Sequence, residues 1–295
     1  MNSKVLKKDL DSRIFDFVNM TCLIIFTIII LVPLWNVIVS SFSSSRALAE
    51  GGFIFWSPDF SLENYRAVFR DDMIYQAFFI SVAKTVIGVL THVLFCAMVA
   101  YGLSKNNIRG RKFYVAMGVI TMFFSGGMIP TYLLIKSLGL LNSFWVYIIP
   151  ALLSFYDVII LMNFFRNVPP SLEESAKIDG AGHWKIFLMI FIPLSMPAMA
   201  TIAMFNGVGQ WNDFMTTKLY VTNENLYPLQ MKLYEIIVQS QMQSMQNVGG
   251  SVIIETATKG VQLATIVITT LPIVVIYPIL QRYFISGMML GAVKE

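Results

Sequence analysis

The chain has 295 residues, of which 56% are hydrophobic and only 13% charged, and its mean hydropathy is +0.68. Ordinary globular proteins are roughly a quarter charged, so this balance excludes a disordered chain and argues for a helical membrane protein over a water-soluble domain. The net charge is +4 and the pI about 9.0, but Lys and Arg stand in short groups between long apolar runs, not in the clustered footprint of a nucleic-acid binder.

The amino-terminal tail, 1–16, carries Lys4, Lys7, Lys8 and Arg13. The apolar run after it is longer than the 7–15 residues of a signal-peptide core, so it reads as a retained first span. A bilayer core takes about 20 apolar residues of helix. Six stretches qualify: 17–41, 77–104, 113–135, 144–165, 186–210 and 262–284. None alternates with the period of a barrel strand, and backbone in lipid must bond to itself, so helices are expected throughout. Pro33, Pro130, Pro150, Pro193, Pro197, Pro272 and Pro278 fall in or near these runs and predict kinks.

Basic residues favour the cytoplasmic side. The tails, the 105–112 loop with Arg109, Arg111 and Lys112, and the 166–185 loop with Arg166, Lys177 and Lys185 fall on one side of a six-span chain. Both termini, including the tail 286–295, are therefore expected in the cytosol. On the other side lie two segments too long for turns, 42–76 and 212–260. Ser61 is the expected cap of a helix starting at Leu62 in the first. In the second, Leu229, Leu233, Ile236 and Ile237 share one helical face, and Gly249-Gly250 ends it.

Chemistry-bearing residues are sparse. Cys22 and Cys96 lie in apolar runs, and His92 and His183 are the two histidines. No HExxH, CxxC or GxxxxGK[ST] occurs, so no metal site, no catalytic group and no nucleotide loop is expected on this chain. Polar groups inside spans are candidate pathway residues. They are Tyr156, Asp157 and Asn163 in the fourth run, then Asn206, Trp211, Asn212 and Asp213 around the end of the fifth. Aromatic faces beside amides suit a sugar ring, while interhelical hydrogen bonding is the simpler account of each residue. Lys84 and His92 sit eight residues apart in the second run. Snorkelling of Lys84 and packing of His92 are expected over a proton relay.

The most informative stretch is NVPPSLEESAKIDGAGHWKIFLMIFIPL, 167–194. Pro169 and Pro170 end a span. Ser171 with Glu174 three residues on reads as a capping box, and Gly180 and Gly182 as turn residues that stop a short helix. So short a helix is marginal alone and needs support or a partner. Glu174, Ala176, Asp179, Gly180, Ala181, Phe187, Ile190 and Pro193 fit the spaced pattern E-x-A-x-x-D-G-A-x-x-x-x-x-F-x-x-I-x-x-P. The stretch resembles the EAA signature of binding-protein-dependent ABC-importer permeases. Ser175 stands where a second small Ala is usual. WSPDFSLENYRAVF (56–69) and GQWNDF (209–214) are similar to the sugar, maltose-permease-like branch.

The resemblance implies an all-α integral membrane protein of type I ABC-importer permease fold. It has six transmembrane helices over 17–285 and a cytoplasmic coupling helix in the loop 167–185. Glu174, Ser175, Ala176, Asp179, Gly180, Ala181 and Gly182 would meet a cytoplasmic ATPase dimer. This chain would bind no cofactor of its own, ATP and Mg belonging to that ATPase. The remaining partners implied are a second, homologous permease chain, an extracytoplasmic solute-binding protein, a carbohydrate substrate and the lipid of a bacterial cell membrane, with no nucleic acid. Such a chain is a transport subunit and not an enzyme. A membrane enzyme would need a cluster of reactive groups, and only His183 lies on the cytosolic side. The competing reading is an ion-gradient-driven secondary transporter of a polar solute. It predicts internal repeats and paired intramembrane charges, and neither is legible, Asp157 having no obvious partner in the sequence.

Overall fold

The computed structural model describes residues 10–246 and 259–278. The expectations for 1–9, for the Gly249-Gly250 break, for the end of the last apolar run after 278 and for the tail 286–295 lie outside the described residues. Among the described residues the chain is helical, and its extended pairing is limited to an isolated antiparallel bridge, Ser43 with Phe60.

Helix α1 (Leu10–Ser41) leads to α2 (Ser45–Ala49) and α3 (Glu63–Phe69), and α4 spans Asp72–Ser104. Then come α5 (Arg111–Phe123), α6 (Met128–Ser137), two 3-10 turns at Phe144–Tyr147 and Ile149–Ala151, and α7 (Phe155–Arg166). Short α8 (Pro170–Ile178) precedes α9 (His183–Ile186), a π-helical turn (Phe187–Phe191) and α10 (Ile192–Leu194). The chain continues through α11 (Met196–Asn212), α12 (Met215–Tyr220), α13 (Leu229–Gln246) and α14 (Lys259–Pro278).

Three helices, α1, α4 and α14, are each long and apolar enough to cross a bilayer. Three bent pairs bring the number to six when each counts as one span: α5 with α6 at 118°, Phe144–Ala151 with α7 at 50°, and His183–Leu194 with α11 at 78°. These six coincide with the six apolar runs. The bends fall where sequence chemistry forbids a continuous ladder. Ser125-Gly126-Gly127 separates α5 from α6, with Pro130 in the first turn of α6. Pro193 cannot donate to the carbonyl four residues back, the turn ahead of it is widened to a π-helix, and Pro197 opens α11. Pro33, by contrast, sits inside an unbroken α1.

The chain divides into two compact units, one formed by the part up to Arg70 with Ile236–Ile268, the other by Asp71–Glu235 with the part from Thr269. In the first, the segment after α1 folds back on that helix. Trp35 Nε1 donates to the Phe55 carbonyl (2.8 Å) and Asn36 Nδ2 to that of Ile54 (3.0 Å). Phe42 stacks on Phe60 and Tyr65. Asn64, 4% exposed, donates to the carbonyls of Ser41 (3.1 Å) and Ser43 (2.9 Å), where α1 has run out of internal donors. The motif WSPDFSLENY thus contains the clasp of this turn. Its helix starts at Glu63, one residue later than expected, and Ser61 Oγ accepts from the Glu63 N–H.

The core of the second unit joins α4, α7 and α11. Cys96, Ala97 and Ala100 of α4 and Val158 and Leu161 of α7 are fully buried, with Ile202 of α11 beside them. Small residues on α4 let the backbones approach closely, the usual basis of helix packing in lipid. The contact of α5 with α7 is closer still: a Cβ on buried Gly118 would overlap the Phe155 ring. Gly118→Ala should therefore lower stability by about 1–3 kcal/mol through overpacking. Thermal unfolding of the detergent-solubilised protein would measure it, and adding Phe155→Leu should recover most of the loss. A single variant as stable as the wild type would disprove the tight contact.

Candidate functional site

Two features stand out from the bundle. The first is α8. It starts at Pro170, whose missing N–H costs nothing in a first turn, and no side chain caps it. The expected Ser171–Glu174 capping box is therefore corrected: Ser171 lies inside the helix, because the proline starts it two residues earlier than a Ser171 cap would. The other end follows the motif closely. The Gly180 N–H donates to the Lys177 carbonyl (3.0 Å) and the Ala181 N–H to that of Ala176 (2.9 Å). Gly180 has φ +77°, and Asp179 is the C-cap. This is a Schellman cap, in which a left-handed residue turns the chain and two amides close the last carbonyls. Ala176 and Ala181, the residues bonded across it, pack against the core. Gly182 is ordinary extended backbone capping α9.

No residue of α8 is buried. Glu174, Ser175, Asp179 and Gly182 are exposed, Ile178 is 87% exposed, and Trp184 just beyond is 67% exposed. What holds the helix is Glu173. One of its carboxylate oxygens accepts from Lys105 Nζ (2.5 Å) and the other lies 2.9 Å from Lys177 Nζ. Burial opposes ionisation of Glu173, but the hydrogen bonds and charges of the two lysines outweigh it and hold the carboxyl below its ordinary value. Because the folded value is the lowered one, this pairing contributes fully above the ordinary carboxylate range. It is lost as pH falls through the lowered value, so at neutral pH it is intact. From the sequence, Glu173 reads only as an acidic residue favouring the amino end of the helix dipole; the lysine pairing was not foreseen, and its one local signal was the i,i+4 spacing to Lys177.

The second feature is a cavity of about 570 Å³ in the second unit. Its polar lining comprises Thr131, Tyr147, Asp157, Asn206, Gln210, Asp213, Thr216 and Tyr220. Three of the seven candidate pathway residues, Asp157, Asn206 and Asp213, are among them. The other four are not. Tyr156 and Asn163 are exposed elsewhere on α7. Trp211 is 6% exposed and donates to the Thr269 carbonyl (2.9 Å), and Asn212 Oδ1 accepts from Gln230. Within GQWNDF, two more polar side chains are joints: Gln210 donates to the Tyr147 carbonyl, and Asp213 lies against Lys84 of α4 while its Oδ1 accepts the Thr216 N–H that opens α12. Trp211 is thus a packing residue here, because its indole N–H found a backbone acceptor.

Behind the cavity, α4 supplies two bases. Lys84, 0% exposed, donates to the Asp213 carbonyl at 2.7 Å, with the Asp213 carboxylate at 3.5 Å and the Tyr147 ring centroid at 5.0 Å. Snorkelling is ruled out for this lysine, which is anchored inward by a counter-charge. His92 Nδ1 faces the Ala151 carbonyl (2.7 Å) and Nε2 the Asp157 carboxylate (3.0 Å). Asp157 therefore has a partner after all, and α4 carries two buried side chains, Lys84 and His92, each facing a carboxylate. The carboxylates are 20% and 28% exposed while their bases are buried. The wall consequently presents oxygen acceptors. Asn206 Oδ1 is buried and has no hydrogen-bond partner among the described residues. Acceptors beside the Tyr147 and Tyr220 rings suit hydroxyl groups on a ring with an apolar face. No cluster of metal-ligating side chains occurs among the described residues.

A family model described as the binding-protein-dependent transport system inner membrane component matches residues 7–290. The polygalacturonan/rhamnogalacturonan transport system permease protein YtcP of Bacillus subtilis (strain 168) is 42% identical over 284 residues, 96% of this chain and 99% of that protein. The arabinooligosaccharides transport system permease protein AraQ of Halalkalibacterium halodurans is 29% identical over 267 residues, 89% of this chain and 90% of that one. Among solved structures, a chain of a bacterial ABC transporter involved in the import of the acidic polysaccharide alginate superposes with a TM-score of 0.83 and 32% identity, covering 94% of this chain and 99% of its own.

Proposed function

We propose, from the premise that this chain belongs to the family of binding-protein-dependent transport inner membrane components, that it forms half of the pathway by which an ATP-driven importer takes up an oligosaccharide. The chain is a multi-pass transport subunit and not an enzyme. The carbohydrate class rests on the relatives, whose names state polygalacturonan, rhamnogalacturonan and arabinooligosaccharides as what they transport, and on the acceptor-rich, aromatic-edged cavity. Asp157, Asn206 and Asp213 are the pathway residues this reading keeps.

The observation that carries the mechanism is an exposed nine-residue helix, rigidly capped and held by a carboxylate, with Ile178 and Trp184 unburied beside it. Such a surface fits a cleft on a protein partner. In this reading Glu174, Ser175, Ala176, Asp179, Gly180, Ala181 and Gly182 meet an ATPase dimer. ATP and Mg are bound there, and its closure moves α8. A second permease chain completes the pathway and an extracytoplasmic binding protein delivers the solute. The spread of Lys and Arg supports termini in the bacterial cytosol. Alternation between two packings of the bundle then moves the sugar.

Gentle purification of the tagged chain from its native membranes tests this. The expected result is co-purification of a nucleotide-hydrolysing subunit and a second permease, and MgATP-dependent uptake by the complex in proteoliposomes offered a panel of labelled oligosaccharides, oligogalacturonides included. Uptake by this chain alone, driven by an ion gradient without ATP, would overturn the proposal. The charge pairs on α4 keep that second reading concrete, although family membership weighs against it.

A further inference from the structure

We infer that Lys105 and Glu173 form a positioning joint that makes α8 move together with α4, so that motion at the short helix reaches the cavity wall directly and not only through the loops joining α8 to its chain neighbours. The inference rests on the reading of α8 as the helix that meets the ATPase.

Lys105 is the C-cap residue of α4. Its Nζ bonds Glu173 on α8 and lies over the Tyr101 ring of α4 at 4.4 Å and the Phe191 ring of the π-turn at 4.2 Å. One ammonium therefore pins three elements. The two side chains of the pair are 20% and 16% exposed, so salt screens them less than it screens a surface pair. The joint has a stiff footing. Tyr101 packs against Phe187 and Phe191, with ring centroids at 5.1 and 4.9 Å, and Phe165 of α7 closes on Phe191 at 5.5 Å. Arg111 Nε donates to the Leu103 carbonyl (2.7 Å) and fixes the last turn of α4. Close-packed interiors transmit displacement. From Lys105 the helix runs through the fully buried Ala100, Ala97 and Cys96 to His92 and Lys84, about 30 Å at 1.5 Å per residue. Those two are the bases behind the Asp157 and Asp213 carboxylates. The joint thus connects the exposed helix to the cavity through one rigid rod.

The test uses the assembled importer in liposomes, with MgATP as the only added ligand. Lys105→Gln and Glu173→Gln are expected to raise solute-free ATP hydrolysis by about fivefold or more, the low end of ordinary coupling between sites. Lys105→Arg should stay near wild type, and the exchanged pair Lys105→Glu with Glu173→Lys should recover much of the control. A second readout addresses geometry. Spin labels at Leu172→Cys on α8, outside the residues assigned to the ATPase, and at Phe79→Cys on α4, in a Cys22→Ser background, should keep one distance with and without MgATP in the wild type. In Lys105→Gln that distance should shift or broaden on adding MgATP. Unchanged hydrolysis in variants that still co-purify the ATPase, or a label distance that shifts equally in wild type and variant, overturns the joint while leaving the function intact. If no ATPase is ever recovered with the wild-type chain, the reading of α8 and the joint fall together.

Discussion

Gly180→Pro should assemble in the membrane yet lose ATP-dependent uptake by about tenfold or more, within the usual range for breaking the coupling between two sites. The native φ of +77° lies out of reach of a pyrrolidine ring locked near −65°. Proline also lacks the N–H that Gly180 donates to the Lys177 carbonyl, and the Ala181 to Ala176 bond depends on the same left-handed turn. The turn after Asp179 must then open, and Ala181 leaves its place against the core. Insertion should survive, because the apolar runs that direct it are untouched and Gly180 itself is exposed. Gly180→Ala is the graded control. It keeps the N–H and meets only the left-handed penalty of about 1–2 kcal/mol, so uptake should fall partly. Side-by-side assays of hydrolysis and uptake in one proteoliposome preparation would separate the outcomes. Full ATP-dependent uptake by the proline variant would remove the basis for a rigid turn at the partner surface.

What the sequence made legible follows from the range of each signal. A span is announced locally by an apolar run, so all six were readable, and so was the αL turn at Gly180. The short helix was found, but its start was misjudged. Ser171 and Glu174 have the spacing of a capping box, while Pro170 starts the helix two residues earlier than that box would and leaves Ser171 no cap to make. Bends were foreshadowed by Pro130 and Pro193, but the Gly126-Gly127 break was not singled out, and the size of each bend is set by tertiary packing. Partners across helices were not readable at all. His92 and Asp157 are 65 residues apart and Lys84 and Asp213 are 129 apart, and nothing local says that a lysine in an apolar run faces inward. The same limit explains Trp211. Its indole suits a sugar face or an interface equally well, and only the fold brings the Thr269 carbonyl to it.

Because the two members of the Lys84–Asp213 pair differ in exposure, the two ways of breaking it should differ sharply in effect. Lys84 is 0% exposed and the Asp213 side chain 28%. Removing the carboxylate charge by Asp213→Asn keeps an oxygen for the Thr216 N–H and the main-chain carbonyl for Lys84 Nζ. The substitution leaves the ammonium walled in without a counter-ion. Stripping one partner from a buried pair costs about 3–5 kcal/mol, and the cost holds whether the lysine keeps its proton or surrenders it. Lys84→Met instead leaves a carboxylate that opens onto the cavity, where water can solvate it. Its cost should be about 1 kcal/mol, since a flexible apolar chain of similar length fills the space beside Tyr147. Joining the two changes removes both charges, and replacing a whole pair is often near neutral. The double variant should therefore be more stable than Asp213→Asn alone. Thermal unfolding of the four proteins in one detergent gives the cycle. If Lys84→Met were the more damaging single change, or if adding it to Asp213→Asn lowered stability further, the carboxylate would not be acting as the counter-charge of the buried lysine. The cavity wall would then need a different electrostatic account.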